Sequence, residues 1–199
     1  MAKGSNDVIL RDRLQFDIDT NGNTALVYGR VDLSDYVSIV ENKGLAIKEV
    51  RFQLRDPSAG LGTWPSVMLD PFIAGTFSST LKIFATTTAY ELITDVGIAS
   101  PNVLCVMTKE STNYVADPTQ PLATRNSSLV VTDEWYGTPD LHPEGYDVVT
   151  DLLIGIALDG CTNTTLASTT CELDVMLIAE PKKITQKDLT QMLTQAQDL

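Results

Sequence analysis

The sequence predicts an all-β protein: a single jelly-roll-type β-sandwich of about eight strands, with long loops and a short C-terminal helix. Three observations point there. Apolar and polar residues alternate at period two in segment after segment, and β-branched residues crowd those segments. Nowhere does the chain show the strand-helix alternation of a parallel α/β protein. With 199 residues, 43% of them hydrophobic, it is long enough to close one sizeable core without disulfide or metal staples.

The strands follow in order. Leu14, Phe16 and Ile18 alternate with Gln15, Asp17 and Asp19, Asn21-Gly22 supplies a tight turn, and Leu26 and Tyr28 run back, which predicts a β-hairpin. A second hairpin is expected from 34–40 and 45–54 around Asn42-Lys43-Gly44, with Lys48, Glu49 and Arg51 on its polar face. Further strands are expected at 79–87, 103–108, 128–132, 147–158 and 171–180.

Helix is expected as a turn or two at 88–95 and as one clear C-terminal segment. There Thr185 is the N-cap with Asp188 three residues on, and a 3.6-residue period aligns Leu189, Met192, Leu193, Ala196 and Leu199. That stripe reads either as packing on the helix's own domain or as an inter-subunit contact carried by Leu189, Met192 and Leu193. The expected organisation is a sandwich with a short N-terminal arm over 1–183 and a helical tail over 184–199. Long connections fall at 55–66, 111–127 and 132–147, and loops of that length are usually functional.

Charge narrows the range of partners. There are 14 Lys+Arg against 26 Asp+Glu, and residues 56–181 hold three basic and sixteen acidic side chains, so the whole deficit lies in the middle of the chain. Only Lys3, Arg11 and Arg13 resemble a basic arm, with Asp7 and Asp12 among them, which argues against direct nucleic-acid binding. The start, MAKGSNDVILRDRLQF, has no apolar signal region, and no window approaches the ~18 to 20 apolar residues of a bilayer span. Synthesis in the cytosol is the expectation.

Catalytic motifs are missing from the sequence. His142 is the only histidine, and no His-Glu-x-x-His, Gly-x-Ser-x-Gly or Walker A pattern occurs, so neither an enzyme nor a cofactor is expected. Gly60-Leu61-Gly62 begins like a dinucleotide fingerprint, but Pro65 takes the place of the third glycine, and a turn-rich loop explains it better. Asp17, Asp19, Asn21 and Asn23 resemble half of a calcium loop, yet Tyr28 stands where a bidentate Glu is needed, and a hairpin turn uses the same residues.

Two other groups stand out. The segment 132–147 gathers Trp135, Tyr136 and Tyr146 with Asp133, Glu134, Asp140 and Glu144, the residue types of a sugar-binding loop or of a subunit contact. Cys161 and Cys171 bracket the loop between two neighbouring strands and form a candidate disulfide, worth ~2 to 3 kcal/mol if oxidised. Cytosolic synthesis argues against oxidation, and Cys105 reads as core.

These features together resemble the single jelly-roll major capsid proteins of tailless icosahedral viruses, of the membrane-containing archaeal and bacterial type. The resemblance lies in the succession of about eight strands, the long loops, and an ending in which DLLIGIALDG and CELDVMLIAEPKK look like the last two strands before a tail helix, ITQKDLTQMLTQAQ. It implies a capsid subunit of the virion that self-assembles into an icosahedral shell through loops and termini. The implied partners are further copies of the chain, a second capsid protein, and a viral membrane beneath the shell. Two other classes compete: another virion or filament subunit, such as a tail tube or decoration protein, which differs in assembly symmetry, and a lectin-like binding module, which would lose its ligand on Trp135→Ala.

Overall fold

Period-two alternation is realised as nine strands in two antiparallel sheets. A computed structural model describes residues 6–70, 76–115, 121, 127–136 and 144–195. The strands are β1 (Val8–Asp17), β2 (Thr24–Val31), β3 (Lys43–Arg55), β4 (Phe77–Thr86), β5 (Val103–Val115), β6 (Ser127–Tyr136), β7 (Tyr146–Val148), β8 (Leu152–Asp159) and β9 (Thr170–Lys183), followed by helix α1 (Gln186–Gln195). One sheet has the order β1-β9-β3-β7 and the other β2-β8-β4-β5-β6.

The pairing is nested. β1 pairs with β9, β2 with β8, β3 with β7 and β4 with β5, so each early strand takes a partner counted inward from the far end of the chain. Folding this ladder over, with β3–β9 and β4–β8 completing the two sheets, produces the jelly-roll wrap. β6 is an addition outside β5. The sheets close on a core that includes Ile47, Val50, Leu81, Ile83, Ile154, Ile156, Leu173 and Leu177, all at or near zero exposure.

The outward face of the four-stranded sheet is charged. Arg13 Nε donates to Asp174 at 2.6 Å and Arg55 donates to Glu172 at 3.0 Å, while Lys48, at a bulge in β3, meets Asp7 at 2.9 Å and Glu180. The basic residues of β1 and β3 thus lie against the acids of β9, as cross-strand pairing favours.

The opposite sheet is covered differently. Residues 87–102, between β4 and β5, fold back over its outer face as a strap and close a second small core of Phe84, Val96 and Val106 with Tyr28, Tyr90 and Ile93. Lys82 donates to the Ile93 carbonyl at 3.1 Å and to that of Val96. The Tyr28 hydroxyl donates to the Tyr90 carbonyl at 3.0 Å and accepts the Tyr90 N–H at 2.8 Å. Covered on both faces, β8 accordingly reads LLIGIALD, an apolar run instead of an alternation.

Several expectations are corrected. β1 and β2 do not pair: the turn between them forms, with Asp19 N–H on Asn23 O at 2.9 Å, but it is the corner where the chain passes from one sheet to the other. The two strands line the same core, one from each wall. Residues 34–40 are turns, not a strand, joined to β3 by an isolated Ser38–Lys43 bridge, because Asp32 Oδ1 accepts Ser34 N–H and starts an Asx turn at buried Leu33. The span 147–158 divides between β7 and β8, in different sheets, with Asp151 at the break accepting Leu33 N–H at 3.0 Å. The helical turn expected at 88–95 shrinks to a 3-10 turn, Ile93–Asp95.

The register also fixes the ends of the sandwich. The β1–β2, β3–β4 and β8–β9 connections meet at one end, where Cys161 N–H donates to Gly22 O at 3.1 Å and Thr162 N–H to Met68 O at 3.0 Å. Val8 pairs with Ala179 and Lys43 with Lys183, so the start of β1 and the end of β9 lie at the opposite end, with the β2–β3 and β7–β8 connections. No helix among the described residues is long and apolar enough to cross a membrane.

Candidate functional site

The aromatic segment at 132–147 is not one loop. Its first part is the end of β6, where Trp135 stands opposite Met107 and Tyr136 opposite Val106; the side chains of Trp135 and Tyr136 lie outside the described residues. Tyr146 opens β7, opposite Ile47, in the other sheet. These aromatics therefore belong to edge strands of two different sheets, which period-two reading of a turn-rich, Trp/Tyr-containing stretch did not reveal. Burial pushes the Tyr146 phenol up from its usual range. Asp140 and His142 lie outside the described residues.

The calcium-like residues serve the sheet-crossing corner. Asp19 Oδ1 accepts the N–H groups of Asn21 and Asn23, both at 2.8 Å, and Asn23 Oδ1 accepts Gly160 N–H at 2.9 Å. Asp17 Oδ1 accepts the Thr170 hydroxyl at 2.6 Å. Among the described residues no group of three or more His, Cys, Asp or Glu is placed to hold a metal ion. The Gly60–Gly62 segment is a turn, with Gly62 N–H on Ala59 O at 2.9 Å.

Cys161 and Cys171 lie in the main core with their thiols free, and Cys105 joins them there. Cys161 Sγ donates to Met68 O at 3.1 Å, and Cys171 Sγ is 3.5 Å from the Thr169 hydroxyl. Burial raises all three thiols, Cys105 to about 12. At neutral pH such thiols are protonated and unreactive.

The C-terminal helix begins as expected. Thr185 Oγ1 accepts Asp188 N–H at 3.2 Å, an N-cap, and donates to Asp188 Oδ2 at 2.6 Å, which ties the two side chains together. Met192 packs against Val149 and Ile184 at the end of the sandwich, engaging the helix with its own domain. The side chains of Leu189 and Leu193 lie outside the described residues.

An open groove of about 600 Å³ runs between the 19–26 corner, β4, β8 and Ile93. Lys82 stands on its wall, but its ammonium is held by the two strap carbonyls, and burial pushes its pKa down.

The exposed large apolar residues are distributed unevenly. Ile39 and Val40 lie on the β2–β3 connection, Leu61 on β3–β4, and Leu92 and Ile98 on the strap. Ile9, Val130, Val131 and Tyr146 lie on β1, β6 and β7, which are edge strands. Among the described residues none lies on β3, β4, β5, β8 or β9. The residue pairs Ile39-Val40 and Val130-Val131 carried a signal in the sequence, an apolar doublet that breaks the alternation, yet only burial separates such a doublet from core.

No protein-family model matches the chain, and no curated protein is significantly similar to it.

Proposed function

We propose that the chain is a viral structural protein, a capsid subunit that self-assembles into an icosahedral shell, with the virion as its destination. One observation carries the reading: exposed large apolar side chains are confined to connections and sheet edges, with Val40 at 93% and Leu61 at 90% exposure, while the interior strands expose none among the described residues. Apolar burial drives association, so the surface offered to neighbours is the rim of the sandwich together with the strap, where Leu92 and Ile98 are exposed. The nested jelly-roll wrap supports the same reading, since it directs connections to both ends of a rigid block where neighbours can be met. The charge-paired face of the four-stranded sheet suits solvent or a loosely apposed layer.

The test is the size and symmetry of the purified full chain, by light scattering and negative-stain microscopy across salt concentrations. Closed shells, or trimers and pseudo-hexameric capsomers on disassembly, are expected. A monomer under every condition overturns the proposal.

A further inference from the structure

The corner between β1 and β2 holds a reactive pair. Asn21 is the one asparagine of eight that is followed by glycine. A glycine backbone turns freely and carries no Cβ, so its nitrogen can reach the side-chain carbonyl carbon of the residue before it. Asn21 is exposed, while Gly22 is buried at φ +78. The turn holds the Gly22 nitrogen away from that reaction. Gly22 N–H donates to Asp19 O at 3.2 Å, and Gly22 O accepts Cys161 N–H at 3.1 Å. Asp19 Oδ1 binds the N–H groups on either side, those of Asn21 and Asn23, at 2.8 Å each. Asn23 Oδ1 accepts Gly160 N–H at 2.9 Å, which ties the turn to the chain leaving β8. Contact with Cys161 is so close that a Cβ on Gly22 would stand 1.6 Å from its carbonyl oxygen.

We propose that Asn21 is a self-modifying site gated by this corner: it deamidates while the corner is open and is spared once the corner closes. In the open chain the Gly22 nitrogen attacks Asn21 Cγ and a five-membered imide forms. The side-chain nitrogen leaves as ammonia, taking the proton that the Gly22 amide gives up. Water then opens the imide at one of its two carbonyls. Attack at the former side-chain carbon leaves an ordinary aspartate. Attack at the main-chain carbonyl leaves an isoaspartate, in which the chain runs through the former side chain and is one carbon longer. Neither step fits the closed corner. Ring closure turns the Gly22 nitrogen toward Asn21 Cγ and strips its hydrogen, so Asp19 O loses that donor. The extra carbon of isoaspartate falls between the two N–H groups that Asp19 Oδ1 holds together. Local opening therefore sets the rate. The turn passes the chain from one sheet to the other, so a chain that lingers unfolded acquires a lengthened main chain at the point where it has to cross. The inference does not depend on the shell reading.

The experiment incubates the full chain at mildly alkaline pH, folded and in concentrated urea, and follows the tryptic peptide Leu14–Arg30 by mass spectrometry with fragmentation that separates position 21 from position 23 and isoaspartate from aspartate. The wild type is compared with Asn23→Ala, which removes the bond to Gly160 and leaves the Asn-Gly pair intact. Expected in urea is conversion at position 21, with both products, at the same rate in the two proteins. In the folded wild type the rate should fall by about tenfold or more, and folded Asn23→Ala should recover part of it. If Asn23→Ala does not fold, the wild type in sub-denaturing urea decides: conversion should rise in step with hydrogen exchange of the Gly22 amide. No conversion at position 21 in urea overturns the proposal, because the pair is then unreactive. Equal rates in the folded and unfolded wild type overturn it, as does a folded Asn23→Ala that converts no faster than the wild type. A conversion rate indifferent to Gly22 exchange has the same consequence.

Discussion

The Phe84 ring fills the space that a side chain at Gly155 would occupy: a Cβ on Gly155 would stand 2.2 Å from the ring's Cζ. The two are direct cross-strand partners in β4 and β8, and Tyr28, the partner of Gly155 on its other side, meets Phe84 edge to face at 5.8 Å. Two aromatic rings from strands that flank β8 touch each other across a glycine, and the strap packs on top of them.

Gly155→Ala is therefore expected to destabilise the fold by about 1 to 3 kcal/mol, the usual cost of overpacking a full site. Urea denaturation measures it as a lower midpoint with an unchanged slope. Adding Phe84→Leu should recover part of the loss, because the clash is with the end of the ring. A Gly155→Ala protein as stable as the wild type would contradict this packing.

Tyr28→Phe removes both hydrogen bonds to the Tyr90 backbone. The expected cost is about 1 to 3 kcal/mol, since the Tyr90 amide loses its partner in a part-buried site. The effect should be local. Hydrogen exchange over 87–102 should accelerate while β8 and β9 keep their protection, because the strap sits on its own small core, separate from the main one.

Stability should fall as pH rises above about 9. Burial raises the three thiols above the ordinary thiol value of about 9, Cys105 to about 12. Between those values the unfolded chain gives up thiol protons that the folded chain retains, so the unfolded state binds fewer protons and stability decreases with pH. Lys82, whose pKa is lowered, opposes this just below 10.5, and Lys48, whose pKa is raised, reinforces it above that value. The difference between wild type and Cys105→Ala isolates the thiol: denaturation midpoints at pH 8 and 11 should converge for the pair as pH rises. Equal slopes in the two proteins would refute the assignment.

The candidate contact surface was half legible beforehand. Period two located the strands and the apolar doublets of β6, but a doublet such as Val130-Val131 is indistinguishable in sequence from the core residues Ile47 and Val50. The difference is topological: β3 has β9 and β7 on its two sides, whereas β6 has β5 on one. The aromatics of 132–147 show the opposite error. A stretch rich in Gly, Pro and acids reads as a single loop, and ladder pairing with β5 draws its first residues into a strand.

The sequence by itself determined most of the strands, the turn chemistry and the inward face of those strands that alternate cleanly, because steric and hydrophobic periodicity act within a few residues. Leu14, Phe16 and Ile18 declare an inward face wherever the strand is placed, and Gly22, at φ +78, supplies a backbone that other residues resist. Only the tertiary structure decided the partners. Asp17 meets Thr170 across 153 positions of chain, and β1 pairs there with β9 while its neighbour β2 joins the other sheet, so the two strands meet one core from opposite walls. A turn is local chemistry; the choice of sheet belongs to the whole chain closing on a single interior.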